Sequence, residues 1–104
     1  LSRPIPTDGD IPMHGWQPYG DVHRERIRAH AKHDARDGSM ERKSWDKPIW
    51  LPVVTEEIGE VARVFCENEL GNLTNARAEL RKELVQVAAM VTAWIDAINA
   101  EAPA

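Results

Sequence analysis

A chain of 104 residues provides for one small domain, and its 42% hydrophobic content places it among folded rather than disordered proteins. No run reaches the ~18 apolar residues of a membrane span, and residues 1–20 lack the basic and apolar regions of a secretory signal, so a cytoplasmic, non-membrane protein is expected. The net charge of −4 disfavours a nucleic-acid binder, and a single cysteine, Cys66, excludes an intramolecular disulfide.

The charge is unevenly spread. From His23 to Lys47, eight Lys/Arg stand against five Asp/Glu, a net +3; from Pro48 to Ala104, four stand against nine, a net −5. A basic segment followed by an acidic one suits a metal-bridged polyphosphate, because carboxylates hold the cation and basic side chains hold phosphate.

In chain order, residues 1–20 contain four of the seven prolines and three of the six glycines, and read as an extended arm. Trp16 and Tyr19 are positioned to pin it to a neighbouring surface. The folded domain is expected over residues 21–99, with 100–104 frayed. Asp21 can cap a first helix through Val22, Ile27 and His30, ending near Asp37-Gly38. His30 and His33 share a face of it, and His30 is better read as a surface or substrate-facing imidazole than as a metal ligand. Residues 38–50 form a polar loop in which Trp45 and Trp50 offer aromatic faces and Lys47 a cation.

A second helix is expected from Leu51-Pro52 to about Glu69-Leu70, with a core stripe of Val54, Ile58, Val61, Ala62, Phe65 and Cys66. Gly59 lies mid-helix, allowing close packing or room for a ligand. Gly71-Asn72 breaks the helix, and so short a connection folds the next one back antiparallel. That third helix should run from about Leu73 to Asn99. From Leu84 to Ile98 only Gln86, Thr92 and Asp96 interrupt its apolar character, so it must be buried nearly all round. One copy of the chain cannot cover it, which predicts a homo-oligomer, a homodimer or homotetramer. The fold class is therefore all-α: an N-terminal helix plus a helical hairpin that completes a four-helix-bundle core by oligomerisation.

Two pairs of oxygen-bearing side chains fall at i, i+3 on the consecutive helices: Glu57 with Glu60, and Glu83 with Gln86. Each pair lies on one helix face, one turn apart. Antiparallel packing brings all four into a shared groove, a site for a hard divalent cation, most simply Mg²⁺. Gln86 also heads the most apolar stretch of the chain, where an unpaired polar group is costly.

The segment EEIGE at 56–60, then 22 residues, then ELVQ at 83–86 resembles the signature of the MazG-like all-α nucleoside triphosphate pyrophosphohydrolases, EExxE followed by ExxD. The ELVQVAA and AWIDA runs resemble short phage-type or actinobacterial forms. The resemblance implies a bundle built by dimerisation, a Mg²⁺ site (with Mn²⁺ as a substitute), and cleavage of a nucleoside triphosphate to monophosphate and pyrophosphate. Glu57, Glu60 and Glu83 match the family's metal ligands, whereas Gln86 stands where the family has aspartate. A Gln carbonyl ligates Mg²⁺ without bringing charge, so weaker metal binding is expected. Glu56 is the candidate base, and Arg81, Lys82 and Lys47 are candidate phosphate contacts. The alternative is a catalytically impaired relative that binds nucleotide or a protein partner.

Overall fold

The computed structural model describes residues 4–10, 17–35 and 38–101, and among these the fold is all-helical, without a β-strand. Three helices follow in order: α1 at Gln17–Asp34, α2 at Trp50–Glu69 and α3 at Ala76–Ala100. Short 3₁₀ turns lie at Asp8–Asp10 and Met40–Arg42. No helix among the described residues is long and apolar enough to cross a membrane.

Helix α1 begins at Gln17, four residues before the expected cap, because Pro18 fits the first turn, where its missing N–H is unneeded. Asp21 therefore does not cap: its carboxylate accepts from Arg24 at 3.1 Å and from Arg81 at 2.6 Å. The arm preceding α1 is tethered at Thr7, whose carbonyl accepts from His23 Nε2 at 2.6 Å. Trp16 and Asp37 lie outside the described residues. Gly71 ends the turn after α2 with φ of 74°, a left-handed conformation that favours glycine. Asn75 then caps α3, its side chain accepting from the Ala78 amide at 3.1 Å.

Helices α2 and α3 form an antiparallel hairpin. Trp50, at the start of α2, stacks on Trp94 late in α3, with centroids 5.6 Å apart and planes within 4°. At the other end Arg63 approaches Glu83. The inward seam of α2 is Trp50, Val54, Glu57, Val61 and Val64, spaced four and three residues alternately. Of the expected stripe, Val54 is buried and Val61 half-buried, whereas Ile58, Ala62, Phe65 and Cys66 face outward and Val64 takes their place. Gly59 is not a packing device, since a Cβ there would meet nothing within 4 Å. The core itself is Trp50, Ala93 and Ala97, with Met40, Met90 and Trp94 against it.

Segment 38–49 straps across one end of the hairpin. The indole N–H of Trp50 donates to the Ser44 carbonyl at 2.9 Å, and that of Trp94 to the Trp45 carbonyl at 2.8 Å. Glu101 is tied rather than frayed: its carboxylate accepts from the Ser44 hydroxyl and the Trp45 amide. Underneath, Arg26 joins the strap to two helices. Its Nε and Nη2 donate to Glu41 at 2.9 and 2.7 Å, and Nη2 also donates to Asp96 at 3.0 Å. Burial works against the Arg26 charge, but Glu41 and Asp96 outweigh it and raise its pKa.

A second apolar stripe lies one residue further along each helix of the hairpin: Leu51, Ile58 and Phe65 on α2, and Leu84 and Ile98 on α3; with Ile95, also open on α3, these are 45–63% exposed. In antiparallel helices the same one-residue step turns both stripes to the same side. Helix α3 packs against α2, α1 and the Met40–Arg42 turn, yet Leu84, Ile95 and Ile98 stay exposed.

Candidate metal and phosphate site

The carboxylates meet where the middle of α2 crosses the start of α3. Glu57 lies on the α2 seam and Glu83 on the α3 seam, one turn before Gln86. Oriented to satisfy its neighbours, the Gln86 amide donates from Nε2 to Glu83 Oε2 at 2.9 Å and to Glu57 Oε2 at 3.2 Å. Three of the four expected ligands are thereby brought together. Glu60, the fourth, is turned to Arg63, whose Nε donates to it at 2.8 Å. The same Arg63 approaches Glu83 at 3.9 Å, so one guanidinium partly neutralises two carboxylates.

Glu57 remains short of positive partners. Burial pushes its carboxyl above the usual range, and the nearby charges of Glu83, Glu56, Glu25 and Glu60 push it further. Among the described residues no three His, Cys, Asp or Glu side chains already stand as a metal ligand set. The donor chemistry nevertheless fits a hard cation: only oxygens are offered, and acidic groups outnumber the basic ones that act on Glu57. Glu57 and Glu83 would hold it, with Glu60 and the Gln86 carbonyl as further donors once turned from their present partners.

A carboxyl group raised on folding stabilises the native state only below its ordinary range, and that contribution is lost as pH rises through the raised value. At neutral pH Glu57 is therefore a cost. Glu57→Gln is expected to raise the melting temperature by a few degrees near neutral pH in divalent-free buffer. The gain should vanish at about pH 3, where the carboxyl is protonated in both states. Thermal melts across pH check this.

The cluster opens into a cavity of about 310 Å³ between α1 and the hairpin. Val53, Ala89, Met90 and Ala93 give it an apolar floor, and Glu56 and Glu57 line its acidic side. Helix α1 contributes Glu25, Arg28, His30, Lys32 and His33 to the facing wall. His30 lines this wall, with Nδ1 2.6 Å from the buried Ser39 hydroxyl.

The other proposed contacts lie elsewhere. Trp45, 44% exposed, sits at the strap beside Glu101, and Lys47 projects from the same segment; neither lines the cavity. Arg81 is engaged by Asp21, and Lys82 is exposed on α3 outside the lining. Trp50 is fully buried and serves the core. Arg28 and Lys32 line the cavity instead, and their signal in the sequence is the net basic charge of 23–47 together with their i, i+4 spacing on α1.

Comparison with protein-family models, with curated proteins and with solved structures finds no match to this chain, so a functional reading rests on its own residues and their arrangement.

Proposed function

We propose that the protein is a Mg²⁺-dependent nucleoside triphosphate pyrophosphohydrolase, converting a (deoxy)nucleoside triphosphate and water to the monophosphate and pyrophosphate. The observation that carries this reading is the convergence of Glu57, Glu83 and Gln86 on one point, at the edge of a cavity whose opposite wall is basic. A divalent cation bound there supplies charge neutralisation for the phosphoanhydride and polarises water. Glu56, exposed on the cavity wall one residue from Glu57, takes the proton from the water that attacks the α-phosphorus. The bond from that phosphorus to the bridging oxygen breaks, and the β,γ-diphosphate leaves. The apolar floor receives the nucleoside.

A second reading, an oligomeric nucleotide- or protein-binding module without turnover, is favoured by the Gln86 amide. It donates to both carboxylates and so stands in for the cation between them. Assays of wild type beside Gln86→Asp separate the two. Hydrolysis by wild type, with a lower Mg²⁺ requirement in Gln86→Asp, supports the enzyme; activity in neither supports the module.

Either reading includes a homo-oligomer. The exposed stripes of α2 and α3 form one apolar face, and a second copy placing the same face against it closes a four-helix bundle. Such a face is larger in character than scattered surface hydrophobics and is a liability if left in water. Ile58→Asp with Ile95→Asp is expected to give a monomer by light scattering where wild type gives a dimer or tetramer. A monomeric wild type at micromolar concentration rejects the bundle.

A further inference from the structure

We propose that Arg28 and Lys32 of α1 form a phosphate-binding subsite on the cavity wall facing Glu56 and Glu57, and that Glu25 competes with the bound anion for Arg28. The subsite rests on the hydrolase reading only for the identity of its anion, the β,γ-diphosphate of the substrate and the pyrophosphate released from it.

Arg28 and Lys32 are i, i+4 on α1, so their side chains lie on one face a turn apart, and both line the cavity. Most of the other basic groups nearby are committed. Arg26 is held by Glu41 and Asp96, Arg42 by Asp34, Arg63 by Glu60 and Arg81 by Asp21. Lys32 has neither a hydrogen bond nor an ion pair among the described residues. Arg28 presents its fork to Glu25, donating from Nε at 2.8 Å and from Nη2 at 2.6 Å. That two-pronged geometry is the one a guanidinium offers to phosphate.

The Glu25–Arg28 pair is an i, i+3 contact whose arginine is 54% exposed, and pairs of this kind add little to stability. Its exchange for an anion is therefore inexpensive. A doubly charged phosphate group, spanning Arg28 and Lys32, offers more charge and more acceptor oxygens than one carboxylate. The arrangement also divides the work across the cavity. Carboxylates on α2 and α3 take the cation, cations on α1 take the phosphates, and Glu25 occupies the Arg28 fork until an anion displaces it.

The test is calorimetric titration of the intact protein with inorganic pyrophosphate, with and without Mg²⁺, for wild type, Arg28→Ala, Lys32→Ala and Glu25→Gln. Arg28→Ala is expected to weaken binding by about tenfold or more, the loss of a charge-assisted pair, and Lys32→Ala by a smaller factor. Glu25→Gln is expected to bind more tightly than wild type, an outcome that a purely structural role for Glu25 does not give. Circular dichroism melts confirm that the variants are folded. Equal affinity across the series, weaker binding in Glu25→Gln, or no binding by wild type with Mg²⁺ overturns the subsite. Variant-sensitive pyrophosphate binding without turnover on any triphosphate retains the subsite and removes the hydrolase. Turnover with an unchanged KM in Arg28→Ala removes the subsite and retains the hydrolase.

Discussion

Replacing Glu83 by glutamine is expected to lower pyrophosphate release by about a hundredfold or more, the order lost with one preorganised electrostatic group. Glu83 is 5% exposed, on the helix seam, with Gln86 donating to it and Arg63 nearby. Water cannot readily take its place, and no other carboxylate is packed into the same position. The glutamine side chain keeps the shape and still accepts from Gln86, so the loss reports charge rather than folding. The melting temperature should be unchanged or raised, because a buried charge has been removed. A coupled pyrophosphate assay and a thermal melt on the same preparation supply both readouts. Loss of activity together with unfolding would place Glu83 in the scaffold instead.

The largest stability effect is expected at the strap. Glu41→Ala leaves the Arg26 guanidinium 6% exposed with only Asp96, itself about half exposed, as partner. Removing one member of a buried ion pair costs about 3–5 kcal/mol, a large share of the ~5–15 kcal/mol that holds a typical domain together. Replacing both partners, Arg26→Met with Glu41→Leu, should return most of it, since no buried charge is left unpaired and Asp96, which also loses Arg26, is about half exposed. Urea unfolding of the two variants beside wild type measures the difference. Because Ser39, Met40 and Glu41 also line the cavity, Glu41→Ala should weaken nucleotide binding even in the folded fraction.

The helical hairpin was legible in the sequence because its signals are local. Gly71 stops α2, and two long periodic segments with a short joint leave few arrangements, although α3 starts at Ala76 behind its Asn75 cap rather than near Leu73. The Glu57, Glu83 and Gln86 convergence followed from spacing plus antiparallel packing. The phase of α2 was not legible, for a physical reason. Leu51, Ile58 and Phe65 repeat as regularly as Trp50, Val54, Val61 and Val64, and hydropathy does not distinguish the stripe a helix buries within its own chain from one it leaves exposed. The start of α1 was missed because Pro18 reads as a breaker except in a first turn. The basic cavity wall was not legible, because charge segregation along the chain gives a segment, not a direction. Whether Arg28 or Lys47 faces the carboxylates depends on how α1 crosses the hairpin. That crossing is fixed by Arg26 reaching Glu41 and Asp96, an interaction between residues 15 and 70 positions apart.

The most direct test of the metal-dependent site is quantification of products from a panel of canonical and modified nucleoside triphosphates, with Mg²⁺ or Mn²⁺ and with chelator. Equimolar monophosphate and pyrophosphate from at least one triphosphate, abolished by chelator and by Glu83→Gln, is the expected result. Folded, metal-replete protein that releases neither product from any triphosphate would contradict it.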